Sequence, residues 1–165
     1  MLAYLIESLL EISEADQIVL VTSEDKSNQP IVELGNDYGI TVYQGSEEDV
    51  ASRYFEVISK RNFEYFHRIC GDSPYYSSEV LLEPSLKILD SGLQFISSMP
   101  NKGFPMGNNV ELFETNFFLN CFDEPGLIDN EHVTAGVYKQ ADRFQHDLIT
   151  CDIDGYAYSK LKFSV

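Results

Sequence analysis

Two aspartates stand where a turn follows a short apolar run. Asp72 lies in Gly71-Asp72-Ser73-Pro74 directly after Tyr65 to Cys70, and Asp152 follows Leu148-Ile149-Thr150-Cys151. Glycine at such a place lets backbone approach a ligand, and proline fixes the exit of the chain. Carboxylates from two strand ends form an oxygen donor set of the kind Mg²⁺ takes, the ion completing its shell with phosphates and water. The same residues also serve as turn formers, because an Asp side chain bonds nearby backbone. Residue type and position leave both readings open.

Other chemistries find less support. His67, His132 and His146 show no HxxxH or HExxH spacing and none lies in a Cys/His cluster, which argues against zinc. No GxSxG elbow, GxGxxG turn or GxxxxGK[ST] loop occurs. Cys70, Cys121 and Cys151 are an odd set without CxxC spacing, read as reduced thiols buried as small apolar residues. The triplet Glu47-Glu48-Asp49 reads as a helix N-terminus favoured by the macrodipole.

Composition narrows the partners. The 27 Asp+Glu against 11 Lys+Arg leave a net charge of -16, which argues against nucleic acid and anionic membranes, whose binding draws on Lys and Arg. The longest apolar runs, such as Ile18-Val19-Leu20-Val21, fall far short of the ~20 residues of a membrane-spanning helix. The opening Met1-Leu2-Ala3-Tyr4-Leu5-Ile6-Glu7 lacks a basic n-region, and the expected localisation is cytoplasmic. With 165 residues the chain is expected to be a single domain, 1–165, burying roughly 70% of its unfolded surface.

The elements that must position these residues alternate. Leu2, Leu5, Ile6, Leu9 and Leu10 fall at helical spacing, and Gln17 to Val21 follows as a buried strand closed by Thr22-Ser23. A short helix begins around Pro30, with Gly39 just past its end, and Ile40 to Tyr43 is a second strand. Ser46 offers a capping hydroxyl to a helix carrying Val50, Tyr54, Val57 and Ile58. Tyr65 to Cys70 is a third strand, and Leu82, Leu86 and Leu89 mark a further helix stopped by Gly92. Strands are expected at Leu93 to Ser97, Asn109 to Phe113 and Leu148 to Cys151, with helices near Thr115 to Phe122 and Glu131 to Gln140. The pattern predicts an α/β fold whose ligands lie at the carboxyl ends of the strands: Thr22-Ser23, Gly71-Asp72 and Cys151-Asp152.

Taken in order, the segments resemble the cytidylyltransferase family, in particular its spore coat polysaccharide biosynthesis and acylneuraminate cytidylyltransferase-like members. They are Leu2-Ala3-Tyr4-Leu5-Ile6-Glu7; Gly45-Ser46-Glu47-Glu48-Asp49-Val50 with Arg53-Tyr54; Arg68-Ile69-Cys70-Gly71-Asp72-Ser73-Pro74; Phe104-Pro105-Met106-Gly107-Asn108-Asn109-Val110-Glu111-Leu112-Phe113; Glu131-His132-Val133-Thr134; and Thr150-Cys151-Asp152. The resemblance implies a GT-A-like fold: a mixed, mostly parallel sheet with helices on both faces. It implies transfer of CMP from CTP to a sugar, often an acidic one, with release of pyrophosphate and dependence on Mg²⁺. Asp72 and Asp152 match the metal-binding positions, and Arg68 matches a family arginine that serves equally well as a structural salt bridge. Glu111, Glu131 and His132 match positions near the sugar.

Three departures accompany the resemblance. The strand and basic phosphate loop that open the family's fold are missing here, Met106 replaces an arginine, and Ile153-Asp154-Gly155-Tyr156 follows Asp152. The last change moves the second carboxylate to Asp154 or loses it. The missing strand is central in the family's sheet, so Gln17 to Val21 and Tyr65 to Cys70 are expected to face a gap of about two strand spacings, ~10 Å. Either those strands close on one another, or a partner supplies a strand, or an upstream fragment does; a homodimer is also implied. The alternative to an enzyme is a non-catalytic relative that keeps the fold for partner binding or assembly.

Overall fold

A computed structural model describes residues 1–73, 79–98 and 109–149. Six helices and six strands are seen among them: α1 Leu2–Leu10, β1 Val19–Ser23, α2 Gln29–Asp37, β2 Thr41–Gly45, α3 Val50–Ser59, β3 Tyr65–His67, α4 Glu79–Ile88, β4 Phe95–Ser97, β5 Glu111–Glu114, α5 Thr115–Asn120, α6 Ala135–Lys139 and β6 His146–Leu148. The fold is α/β with mixed pairing, as expected. β1 and β2 form one parallel pair; a second sheet runs β3-β5-β4-β6, with β5 antiparallel to both neighbours and β6 parallel to β4.

Local chemistry accounts for the element ends. Pro30 sits in the first turn of α2, where its missing N–H costs nothing. Gly39, beyond the end of α2, adopts φ +69, a left-handed conformation open to glycine at little cost. The cap of α3 is the Asp49 carboxylate, which accepts from Ser52 N at 2.9 Å. The Ser46 hydroxyl expected there instead accepts from Asp49 N. Glu114 caps α5 by accepting from the amides of Asn116 and Phe117. The helix expected over Glu131 to Gln140 forms only as α6, because the Asp129 carboxylate accepts from the amides of Glu131 and His132 and folds that stretch into a turn.

Period-two alternation sorts the second sheet into two faces. Phe66, Phe113 and Phe95 pair across β3, β5 and β4 and point into a cluster with Phe117, Phe118 and Val137. The opposite face carries Leu112 and Ile96, which pack with Leu5 of α1 and Leu81 and Ile88 of α4. Helices therefore cover both faces. On α4 the buried positions are Leu81, Pro84 and Ile88, while Leu82, Leu86 and Leu89, the residues whose spacing marked the helix, are exposed. Cys70 is exposed rather than buried, whereas Cys121 is buried and its thiol is pushed up to about 12 by that burial.

β3 is tied to α4 by one polar contact. The Ser85 hydroxyl donates to Leu81 O at 2.6 Å, so it accepts from His67 Nε2, 2.8 Å away. The His67 Nδ1 is left as a buried acceptor without a partner. Burial disfavours the charged imidazole and lowers its pKa from 6.5 to about 4. Because the unfolded chain takes up this proton first, stability is complete above pH 6.5 and falls as pH drops toward 4. Urea denaturation at pH 6.5 and pH 5 is expected to show a loss of roughly 2 kcal/mol that a His67→Gln variant does not show.

Candidate functional site

Alternation along β5 puts Glu111 on the same face as Phe113, and Arg68, just past β3, on the same face as Phe66. The two meet there. Glu111 is 5% exposed and accepts from Arg68 Nη1, from the Tyr138 hydroxyl, and from Thr134 Oγ1 at 2.9 Å. The Arg68 guanidinium also lies over the Tyr54 ring of α3, 5.2 Å from its centroid. Burial works against the Arg68 charge, but Glu111 beside it raises its pKa and holds it protonated. Burial, and then Glu111, raise the Tyr138 phenol well above its ordinary value, so it remains a donor.

Backbone fit brings Tyr138 to this place. Gly136 of α6 lies against the carbonyls of Gly126 and Leu127, where a Cβ would come within 2.1 Å of the first and 2.5 Å of the second. Only a residue without a side chain lets the helix seat so closely. Thr134 ends the segment Glu131-His132-Val133-Thr134, so of that segment it is the threonine that reaches Glu111. Glu131 and His132 themselves are exposed in the Asp129 turn.

A second feature lies between the sheets. β1 and β3 do not close on one another; they belong to separate sheets, and a cavity of about 1350 Å³ separates them. Arg61, four residues before β3, donates to Asp16 O, three residues before β1, at 3.3 Å. The residues that lead into the two strands are thus joined at their amino ends. Thr22, near the carboxyl end of β1, and Asp72, in the turn after β3, both line the cavity. Asp72 is exposed in its turn, closed by Ser73 N donating to Cys70 O, and no salt bridge or hydrogen bond among the described residues engages its carboxylate. Ser23, expected to face ligand with Thr22, is buried, and its hydroxyl accepts from Asn28 Nδ2 at 2.6 Å and from Asp25 N at 3.3 Å. It holds the turn after β1.

Of the residues singled out in the sequence, the fold pairs Arg68 with Glu111 and sets Thr22 and Asp72 on the wall of one cavity. Asp152, Asp154 and Met106 lie outside the described residues. Tyr54, Thr134 and Tyr138 were missed as members of the Glu111 cluster. Tyr54 and Thr134 lie within the family segments Arg53-Tyr54 and Glu131-His132-Val133-Thr134, whereas Tyr138 offers only an aromatic on a helical position, which is common to many helices.

A sequence profile described as cytidylyltransferase matches residues 1–162. The chain belongs to the cytidylyltransferase family. Among the relatives of this cytidylyltransferase-family chain is an uncharacterized protein of Methanocaldococcus jannaschii, 28% identical over 145 residues that make up 87% of this chain and 58% of that protein. Another is the spore coat polysaccharide biosynthesis protein SpsF of Bacillus subtilis, 26% identical over 123 residues, 73% of this chain and 50% of SpsF. The chain thus spans little more than half the length of these curated relatives. A cytidylyltransferase structure from Leptospira borgpetersenii superposes with a TM-score of 0.86 at 21% identity, covering 99% of this chain and 69% of that one. A 4-diphosphocytidyl-2C-methyl-D-erythritol synthase from Anaerococcus prevotii follows at 0.64 and 12%, covering 96% and 80%. These structures confirm the fold of the cytidylyltransferase-like domain.

Removing one partner of the buried pair leaves the other charge uncompensated. Glu111→Gln is expected to destabilise the chain by about 3–5 kcal/mol in urea unfolding. The double change Arg68→Met, Glu111→Leu is expected to cost less than Glu111→Gln alone, because it leaves no buried charge behind.

Proposed function

We propose that this chain serves cytidylyl transfer: CTP binds in the cavity lined by Thr22 and Asp72, and CMP passes to a hydroxyl of an acidic sugar for surface polysaccharide synthesis. The sugar oxygen forms a bond to the α-phosphorus, the bond to the β-phosphate oxygen breaks, and pyrophosphate leaves; the hydroxyl proton is released. The observation that carries the reading is that Thr22 and Asp72, each at or just past the carboxyl end of a strand, both line one large cavity, the usual ligand position of open α/β sheets. The spore coat polysaccharide role of a relative supports the sugar assignment.

Asp72 suits Mg²⁺ by its chemistry. It offers an exposed hard-oxygen carboxylate on the cavity wall, and one or two such groups suffice for an ion that keeps waters and phosphates. Asp72, with Asp152, would hold the ion, which would supply neutralisation of charge gathering on the phosphates. The chain's own residues bind and orient. Glu111 keeps Arg68 against the sheet, which fixes the start of the Ile69 to Ser73 stretch and hence the place of Asp72. Glu131 and His132 are exposed and fit an outer sugar contact.

A second reading, a non-catalytic domain used for assembly, is favoured by the commitment of Arg68 to Glu111. That pairing leaves it unavailable to a triphosphate in a chain of net charge -16. Calorimetric titration with CTP at low ionic strength separates the two readings. The enzyme reading expects Mg²⁺-dependent binding that weakens about tenfold or more in Asp72→Ala, together with pyrophosphate release when sugar is present. The assembly reading expects no binding at millimolar CTP.

A further inference from the structure

Two segments that carry the proposed site, Arg68 to Ser73 and Glu131 to Thr134, meet at a single side chain. The Glu111 carboxylate accepts from Arg68 Nη1 on Oε2, and from Thr134 Oγ1 at 2.9 Å and the Tyr138 hydroxyl on Oε1. The Arg68 amide donates to Glu111 O at 2.9 Å as well, so both the backbone and the side chain of Arg68 follow Glu111. Arg68 Nε is buried without a partner, and no bond from that atom holds the guanidinium if Glu111 lets go. Asp72 follows four residues later, in the turn that Ser73 N closes on Cys70 O at 3.2 Å. On the other side the turn before α6 is compact in itself: the Asp129 carboxylate accepts from the Glu131 and His132 amides, and Ala135 N donates to His132 O at 2.8 Å. Bonded in this way the turn is one unit, and Thr134 is its polar tie to Glu111.

We propose that Glu111 is a positioning residue that couples the two sides of the site, passing a displacement of the Glu131-His132 turn to the stretch that bears Asp72, and the reverse. A carboxylate is planar, so turning it to follow Thr134 or Tyr138 on one oxygen swings the other oxygen against Arg68. At 5% exposure Glu111 has no bulk water to replace a lost bond, and bonds within a buried network strengthen one another. Thr134 and Tyr138 act through Glu111 and are positioning residues in the same sense. The identities of the ligands, sugar beside Glu131 and His132 and CTP with Mg²⁺ beside Asp72, rest on the proposed function; the coupling itself rests on the hydrogen bonds. Where both ligands bind, each orders the ground for the other, and the linkage is equal in both directions.

Residue-resolved amide hydrogen exchange of the full chain tests the coupling without any ligand. Arg68→Lys keeps the charge but loses the planar fork that meets Glu111, and it is expected to speed exchange of the His132 and Ala135 amides about threefold or more. Thr134→Val keeps the shape and removes the donor, and it is expected to speed exchange of the Ser73 amide by a similar factor. Ser85→Ala, which frees β3 from α4 on the opposite face of the sheet, is expected to leave the His132 and Ala135 amides unchanged. Absence of either cross effect, or an equal effect of Ser85→Ala, overturns the proposal. Should Arg68→Lys not fold, the Ser73 amide in Thr134→Val decides alone. A second arm adds Mg²⁺ and CTP. Exchange at His132 and Ala135 is expected to slow in the wild-type chain and not in Thr134→Val, although calorimetry shows CTP bound to both, a difference that a purely structural bond would not produce. Equal slowing in both, or none in either while CTP binds, overturns the coupling. Failure of CTP to bind the wild-type chain sinks the proposed function alone, because the ligand-free arm still decides the coupling.

Discussion

Glu111 is the one carboxylate buried among the described residues, and much of the arrangement follows from keeping its charge. An ionised carboxylate leaves water only if donors replace the lost hydration. Here the donors are drawn from different parts of the chain: Arg68 from the end of β3, Thr134 from the turn before α6, and Tyr138 from α6 itself. Each donor fixes the element that carries it. The register of β3 on β5, the seating of α6 allowed by Gly136, and the stacking of Arg68 on Tyr54 of α3 are thus coupled through one side chain. The Thr134 and Tyr138 contacts are neutral donors to a charged acceptor, which strengthens each bond beyond an ordinary one.

The same network bears on the candidate site without entering it. Arg68 begins the stretch that reaches Asp72, so clamping its guanidinium under the sheet sets where the free carboxylate emerges. Asp72 and Thr22 both line the cavity between β1 and β3. A carboxylate paired inside the fold and a carboxylate that no hydrogen bond or salt bridge among the described residues engages are different uses of the same residue type. Burial decides between them: Glu111 has no water and must be paired, and Asp72 has water and stays available to a ligand.

Most element types were legible in the sequence because each rests on local chemistry. The helical spacing of Leu2, Leu5, Ile6 and Leu9, the proline at the start of α2 and Gly39 past its end all read correctly from neighbours in the chain. The ordered family segments led to a fold that the Leptospira borgpetersenii structure matches along nearly the whole chain. The misreadings have a common origin. Leu82, Leu86 and Leu89 do mark a helix, but its buried side is Leu81, Pro84 and Ile88, because the direction a helix faces is set by what packs on it. The stretch from Glu131 was drawn out of helix by the Asp129 carboxylate, a short-range competitor for the same amides.

Sequence by itself determined the alternation of strands and helices, the family, the acidic surface and the placing of Asp72 in a turn after a strand, since all depend on residue identity and spacing within a few turns of chain. Only the tertiary structure decided that Arg68 is a structural partner of Glu111, since their 43-residue separation carries no periodic signal. It alone decided that Ser23 holds a turn while Thr22 reaches the cavity, because alternate residues of a strand face opposite ways and the packing chooses the side. And it alone resolved the fate of the gap between β1 and β3. Among the described residues the two strands do not close on one another, because β1 pairs with β2 in one sheet and β3 with β5 in the other, and pairing partners far apart in the chain are chosen only in the folded state.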